Sequence, residues 1–109
     1  MKSIAVFCAS RSGNENIYRQ MTEQVGKLLA EKGYRIIYGG GKVGLMGQLA
    51  DAALAAGGEI VGVIPHFLDK LEVAHKGLTE LIMVNSMHER KLKMSEMSDA
   101  VLTLPGGFG

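Results

Sequence analysis

The chain has 109 residues, 47% of them hydrophobic, and a formal net charge of +1 from 12 basic and 11 acidic side chains. That length suits one domain with a buried core, and the near-neutral balance leaves no electrostatic footprint for nucleic acid or a membrane surface. A single cysteine, Cys8, excludes an internal disulfide framework and a cysteine-based zinc site.

In chain order, Ser3-Ile4-Ala5-Val6-Phe7-Cys8-Ala9 is an apolar run closed by a polar loop, and it reads as a buried strand. At about seven residues it is too short for a secretory h-region with its cleavage site. No run approaches the ~18 apolar residues of a membrane span. The expectation is a soluble, cytoplasmic protein. Ile17, Met21, Val25, Leu28 and Leu29 recur at helical spacing, with Gly33 where a helix-ending glycine belongs. Tyr34 to Tyr38 forms the second strand. Met46, Leu49, Ala53 and Leu54 mark a second helix ended by Gly57-Gly58. Glu59 to Ile64 is the third strand, stopped by Pro65, and residues 66–77 read as a loop with a short helical turn. Leu81 to Val84 is the fourth strand. Ser86 caps a third helix, with Glu89 placed for a capping box and Met87, Met94 and Met97 as its buried stripe. Ala100 to Leu104 is the fifth strand and leads into Pro105-Gly106-Gly107-Phe108-Gly109, an anion-binding type of turn.

Alternation of strands and helices predicts an α/β fold, a Rossmann-like doubly wound parallel sheet of about five strands with helices on both faces. The whole of 1–109 reads as a single domain, incomplete at its C-terminus. Ligands of such sheets bind beyond the carboxyl ends of the strands, so the candidate site loops are 8–14, 39–47, 65–77, 85–90 and 105–109.

Gly39-Gly40-Gly41-Lys42-Val43-Gly44 matches G-x-G-x-x-G between a strand and a helix. A dinucleotide reading fails on position. The ribose-binding acid belongs at the end of the next strand, where this chain has Ile64-Pro65, whereas Glu59 begins that strand. A Walker A loop is excluded by the lack of Gly-Lys-Ser/Thr. Close backbone approach to a phosphate or sugar and a purely structural tight turn both stay open. Arg90 and Lys91 lie one turn into the third helix at the carboxyl edge of the sheet, where they can meet an anionic ligand or simply be solvated. His66, His75 and His88 have no metal-ligand spacing, so no metal is expected. Cys8 reads as an apolar filler. Ser10 and Ser12 suit hydrogen bonding to a ligand better than nucleophilic catalysis, as no Ser-His-Asp context is visible.

Taken together, Cys8-Ala9-Ser10, Gly39-Gly40-Gly41-x-x-Gly44-Leu45-Met46-Gly47, Gly62-Val63-Ile64-Pro65, Met87-His88-Glu89-Arg90-Lys91 and Leu104-Pro105-Gly106-Gly107-Phe108-Gly109 resemble the LONELY GUY (LOG) family, also labelled lysine decarboxylase-like. The resemblance implies a cytokinin riboside 5′-monophosphate phosphoribohydrolase, which cleaves the N-glycosidic bond of a purine nucleoside 5′-monophosphate to free base and ribose 5-phosphate. It implies Arg90 as catalytic and Lys91 as its substrate-binding neighbour. Gly106, Gly107 and Gly109 match the phosphate loop, and Glu72 matches a substrate-contacting glutamate. Gly41, Gly44, Met46 and Gly47 would shape the base and ribose pocket, with Ser10 a further substrate contact. No cofactor is implied, and the partner is a second copy in a homodimer.

Two departures stand out. Arg11 stands in the first loop, where many members have a small residue. The family motif also continues into Thr-x-x-Glu, whose glutamate is the second catalytic residue, whereas this sequence reads to Gly109. The expectation is that these 109 residues bind nucleotide but lack efficient hydrolysis alone; a nucleotide-binding module and a purely structural fragment are the alternatives. The decarboxylase label finds no support, because no lysine sits in a recognisable Schiff-base arrangement.

Overall fold

A computed structural model describes residues 2–8 and 16–104. Five strands, β1 (Ser3–Phe7), β2 (Arg35–Tyr38), β3 (Ile60–Pro65), β4 (Glu80–Val84) and β5 (Ala100–Thr103), form one parallel sheet in the order β4-β3-β2-β1-β5. Helix α1 (Asn16–Glu31) joins β1 to β2 and α2 (Gly44–Ala55) joins β2 to β3. A 3-10 turn (His66–Leu68) runs into the short α3 (Asp69–Glu72) between β3 and β4, and α4 (Met87–Glu96) returns the chain to β5. The α/β, helix-on-both-faces expectation holds.

The two faces follow from handedness. Crossovers stepping from β1 to β2 to β3 move one way across the sheet and place α1 and α2 on one side; the β4-to-β5 crossover moves back and places α4 on the other. Alternate strand residues supply two cores. Val6, Ile36, Tyr38 and Ile60 pack with Leu29, Leu45, Leu49 and Ala53 on the α1–α2 side. Ala5, Ile37, Val61, Val63 and Val84 pack with Met94 of α4 on the other.

Three local readings are corrected. On α1 the buried positions are Thr22, Gly26 and Leu29, whereas Ile17 and Leu28 are 56% and 51% exposed. Gly26 is the reason: a Cβ there would stand 2.7 Å from the Leu49 carbonyl, so α1 approaches α2 closely at its small residue, with Leu29 and Val25 packed inward and Ile17 and Leu28 left outside. Pro65 ends β3 from inside, still in register with Val84, rather than stopping it from outside. The capping box on α4 is half formed: Ser86 Oγ accepts from the Glu89 N–H at 3.1 Å, and among the described residues Glu89 makes no return bond.

Candidate active site

The site grows from the carboxyl end of β2. Gly40 adopts φ +81°, a left-handed backbone that glycine adopts freely. It lies directly on β3, where a Cβ at Gly62 would fall 2.5 Å from the Gly40 Cα. Tyr38, fully buried at the end of β2, donates its hydroxyl to the Gly41 carbonyl at 2.8 Å and fixes the turn from beneath. Met46, the third residue of α2, also packs against the turn. A Cβ on Gly39 would fall 2.6 Å from its Cε, and one on Gly41 would fall 3.0 Å from its Sδ.

Arg90 reaches this turn from α4. It occupies the inward stripe with Met94 and Met97, while Met87 is 36% exposed; the buried stripe of α4 therefore begins with an arginine, not the expected methionine. The Arg90 side chain is 7% exposed, and two of its three guanidinium nitrogens donate to protein oxygens. Its Nε donates to the Val63 carbonyl at 2.9 Å, and its Nη2 donates to the Gly39 carbonyl and to Glu72 Oε1, the latter at 2.6 Å. β2 ends opposite Gly62, one residue before Val63, so Arg90 supplies donors just where the β2–β3 ladder stops. A buried ion pair offsets its desolvation only when such extra hydrogen bonds exist, and here they do. Nη1 is different: among the described residues it meets only the Met87 sulfur, at 3.9 Å.

Glu72 closes α3 and is as buried as its partner. Its backbone is tied to the glycine turn, with Lys42 N–H donating to the carbonyls of Glu72 at 3.0 Å and Val73 at 2.6 Å, and His75 N–H to the Gly40 carbonyl at 2.9 Å. Gly41 and Ala74 form an isolated antiparallel bridge. Farther out, His75 Nδ1 accepts from the Gly77 N–H, so Nε2 carries the proton given to Asp51 of α2 at 2.8 Å. This His75–Asp51 bond ties the Glu72 loop to α2.

The structure brings together Arg90, Glu72, Gly41 and Met46. Gly47 is buried one turn into α2, and Gly44 opens that helix with φ +62°. Lys91 is exposed beside Arg90 and makes no side-chain bond among the described residues. Ser10, Gly106, Gly107 and Gly109 lie outside the described residues. Glu59, too early in the chain for a ribose ligand, pairs with Arg35 at 3.1 Å at the amino end of β3, away from this site. Sequence reasoning missed Tyr38 and Val63, whose contributions come from a core hydroxyl and a backbone carbonyl. It also missed Asp69 and Val73, which shape the Glu72 loop.

Cys8 lies buried at the end of β1. Burial pushes its thiol up to about 12 from 9.0; the Arg90 charge opposes this and the Glu72 charge adds to it. Burial likewise pushes the Tyr38 hydroxyl up. The folded state therefore disfavours the thiolate. Its contribution to stability is complete below pH 9, the unfolded value, and declines as pH rises to about 12. Native Cys8 is expected to resist iodoacetamide at pH 8.5 and to react at once in denaturant, checked by mass spectrometry; equal rates in both states would contradict its burial.

Against known sequences, the family described as "Possible lysine decarboxylase" matches residues 46–109. The chain belongs to this family. Among relatives, a cytokinin riboside 5′-monophosphate phosphoribohydrolase of Rhodococcoides fascians is 50% identical over 109 residues, covering 99% of this chain and 55% of that protein. One of the same name from Arabidopsis thaliana is 40% identical over 108 residues, covering 99% of this chain and 51% of its own. The chain thus spans about half the length of the curated relatives it matches. These names bear out the LOG resemblance. The X-ray structure of the structural-genomics target TM1055 superposes with a TM-score of 0.75 at 26% identity, covering 94% of this chain and 60% of that one. In this lysine decarboxylase-family chain every lysine, at 2, 27, 32, 42, 70, 76, 91 and 93, is exposed. A pyridoxal Schiff base calls for a lysine enclosed with its cofactor, and the described site holds an arginine and a glutamate instead.

Proposed function

We propose that this chain binds a purine nucleoside 5′-monophosphate, of cytokinin or AMP type, and serves hydrolysis of its N-glycosidic bond to free base and ribose 5-phosphate. The observation that carries the reading is the buried Arg90–Glu72 pair beneath the glycine turn, with Nη1 of the arginine uncommitted. Anchoring through Nε and Nη2 fixes the guanidinium plane, so Nη1 is aimed without cost when a ligand arrives.

In the reaction the C1′–N bond breaks, and the base leaves with its electron pair and takes a proton. A water oxygen joins C1′. Positive charge gathers on the ribose on the way, as in other glycoside cleavages, and a carboxylate beside the ring stabilises it. Glu72 is a candidate for ribose contact because Oε1 is held by Arg90 while Oε2 accepts no bond among the described residues. Lys91, with Gly106, Gly107 and Gly109, would hold the phosphate. Gly41, Gly44, Met46 and Gly47 would shape the pocket, and Ser10 would add a contact from the first loop. The reading includes a cytoplasmic homodimer.

Titration of the chain with AMP and with adenosine tests the binding half. AMP is expected to bind more tightly than adenosine, since the phosphate supplies the anionic contacts. Equal affinities, or no binding of either, would count against the reading.

A further inference from the structure

We propose that Asp69 is a positioning residue for Glu72, acting through a left-handed backbone at Val73; the kinetic part of this inference rests on the phosphoribohydrolase reading. Val73 has φ 53° and ψ 105°, and it stands alone among the described non-glycine residues in having positive φ. A β-branched residue there is a steric outlier, and such backbone persists only where its surroundings over-determine it.

Asp69 supplies that determination from both sides of the kink. Its backbone carbonyl accepts the Val73 N–H at 2.8 Å, and its carboxylate Oδ1 accepts the Ala74 N–H at 2.9 Å. The second bond is charge-assisted and therefore among the stronger kinds. On either side of the kink the segment meets the glycine turn: the Glu72 and Val73 carbonyls accept from Lys42 N–H, Ala74 bridges Gly41, and His75 N–H donates to the Gly40 carbonyl. The chain thus turns at Val73 so that the backbone of this segment faces the glycine turn while the Glu72 side chain reaches Arg90. A four-residue helix is too short to hold that geometry through its own hydrogen bonds. Asp69 needs no contact with substrate; it acts by placing the carboxylate that has one.

The test uses a form of the protein extended past Gly109, with Asp69→Ala, Asp69→Asn, Glu72→Gln and the Asp69→Ala/Glu72→Gln double variant. Readouts are kcat and KM for base release from AMP, and amide hydrogen exchange at Lys42 and His75. Misplacing a reacting group by about 1 Å costs on the order of 100-fold. Asp69→Ala is therefore expected to lower kcat at least about tenfold with little change in KM, and to speed exchange at both amides. Asp69→Asn keeps an acceptor oxygen and is expected to restore both. In the Glu72→Gln background, Asp69→Ala is expected to add no further loss in kcat. Multiplicative losses in the double variant, or unchanged exchange in Asp69→Ala, would overturn the proposal. If the unsubstituted extended form releases no base, the phosphoribohydrolase reading falls and exchange alone decides: faster in Asp69→Ala and restored in Asp69→Asn supports the positioning role, and no change overturns it.

Discussion

Arg90→Ala is expected to lower stability by about 3–5 kcal/mol and to abolish base release in the extended form. Truncation removes a donor set that serves three acceptors at once: the carbonyls of Gly39 and Val63 and the Glu72 carboxylate. Breaking a buried pair from one side leaves an uncompensated charge, which is the costly way to lose it. Lys93, exposed on the same helix, provides the control, and Lys93→Ala is expected to leave both stability and turnover near the parent. Arg90→Lys separates folding from chemistry. It keeps the charge opposite Glu72 but cannot span three acceptors and still present a free N–H, because an ammonium lacks the planar fork. Its fold is expected to survive with base release reduced by roughly 100-fold or more. Denaturation curves and initial rates check all three variants. Equal effects at positions 90 and 93 would remove Arg90 from its role.

Gly47→Ala is expected to lower stability by about 3 kcal/mol, against the usual gain from alanine within a helix. A Cβ at Gly47 would occupy the position of the Lys42 carbonyl, which is backbone and cannot rotate away. Relief requires Lys42 to move. Lys42 is the residue whose N–H meets the Glu72 and Val73 carbonyls, so the displacement passes into the Glu72 loop. Gly57→Ala is the comparison. Among the described residues no atom beyond its chain neighbours lies within 4 Å of a Cβ there, and only the φ of +79° is unfavourable, a cost of about 1–2 kcal/mol. Urea unfolding of the two variants is expected to rank Gly47→Ala clearly lower. Equal midpoints would mean that the glycine turn yields without loss.

Much of the fold was legible because strands here are continuous apolar runs and the intervening helices carry periodic faces. The exceptions have local causes. The spacing on α1 predicts a stripe of large aliphatic residues, of which Leu29 is buried, but the closest approach to α2 is at Gly26, and periodicity weighted by side-chain size does not register a glycine contact. Arg90 was legible as a cation near the sheet edge. That it belongs to the buried stripe with Met94 and Met97 was not, since nothing in a 90, 94, 97 spacing says that an arginine will find three inward acceptors. Glu72 entered through resemblance to a family, and the structure now gives it a physical partner in Arg90. The Val73 kink lay beyond sequence reasoning. Propensity argues against a left-handed valine, and no pattern in the sequence announces the two Asp69 bonds that hold it. Residues 9–15 and 105–109, among them Ser10, Gly106, Gly107 and Gly109, lie outside the described residues.

Product analysis of a form extended past Gly109, incubated in separate reactions with AMP and with lysine, tests the central claim most directly. The expected result is free adenine and ribose 5-phosphate in equal amounts from AMP, with no cadaverine from lysine. Failure to release adenine, or cadaverine appearing in the lysine reaction, would contradict the phosphoribohydrolase assignment.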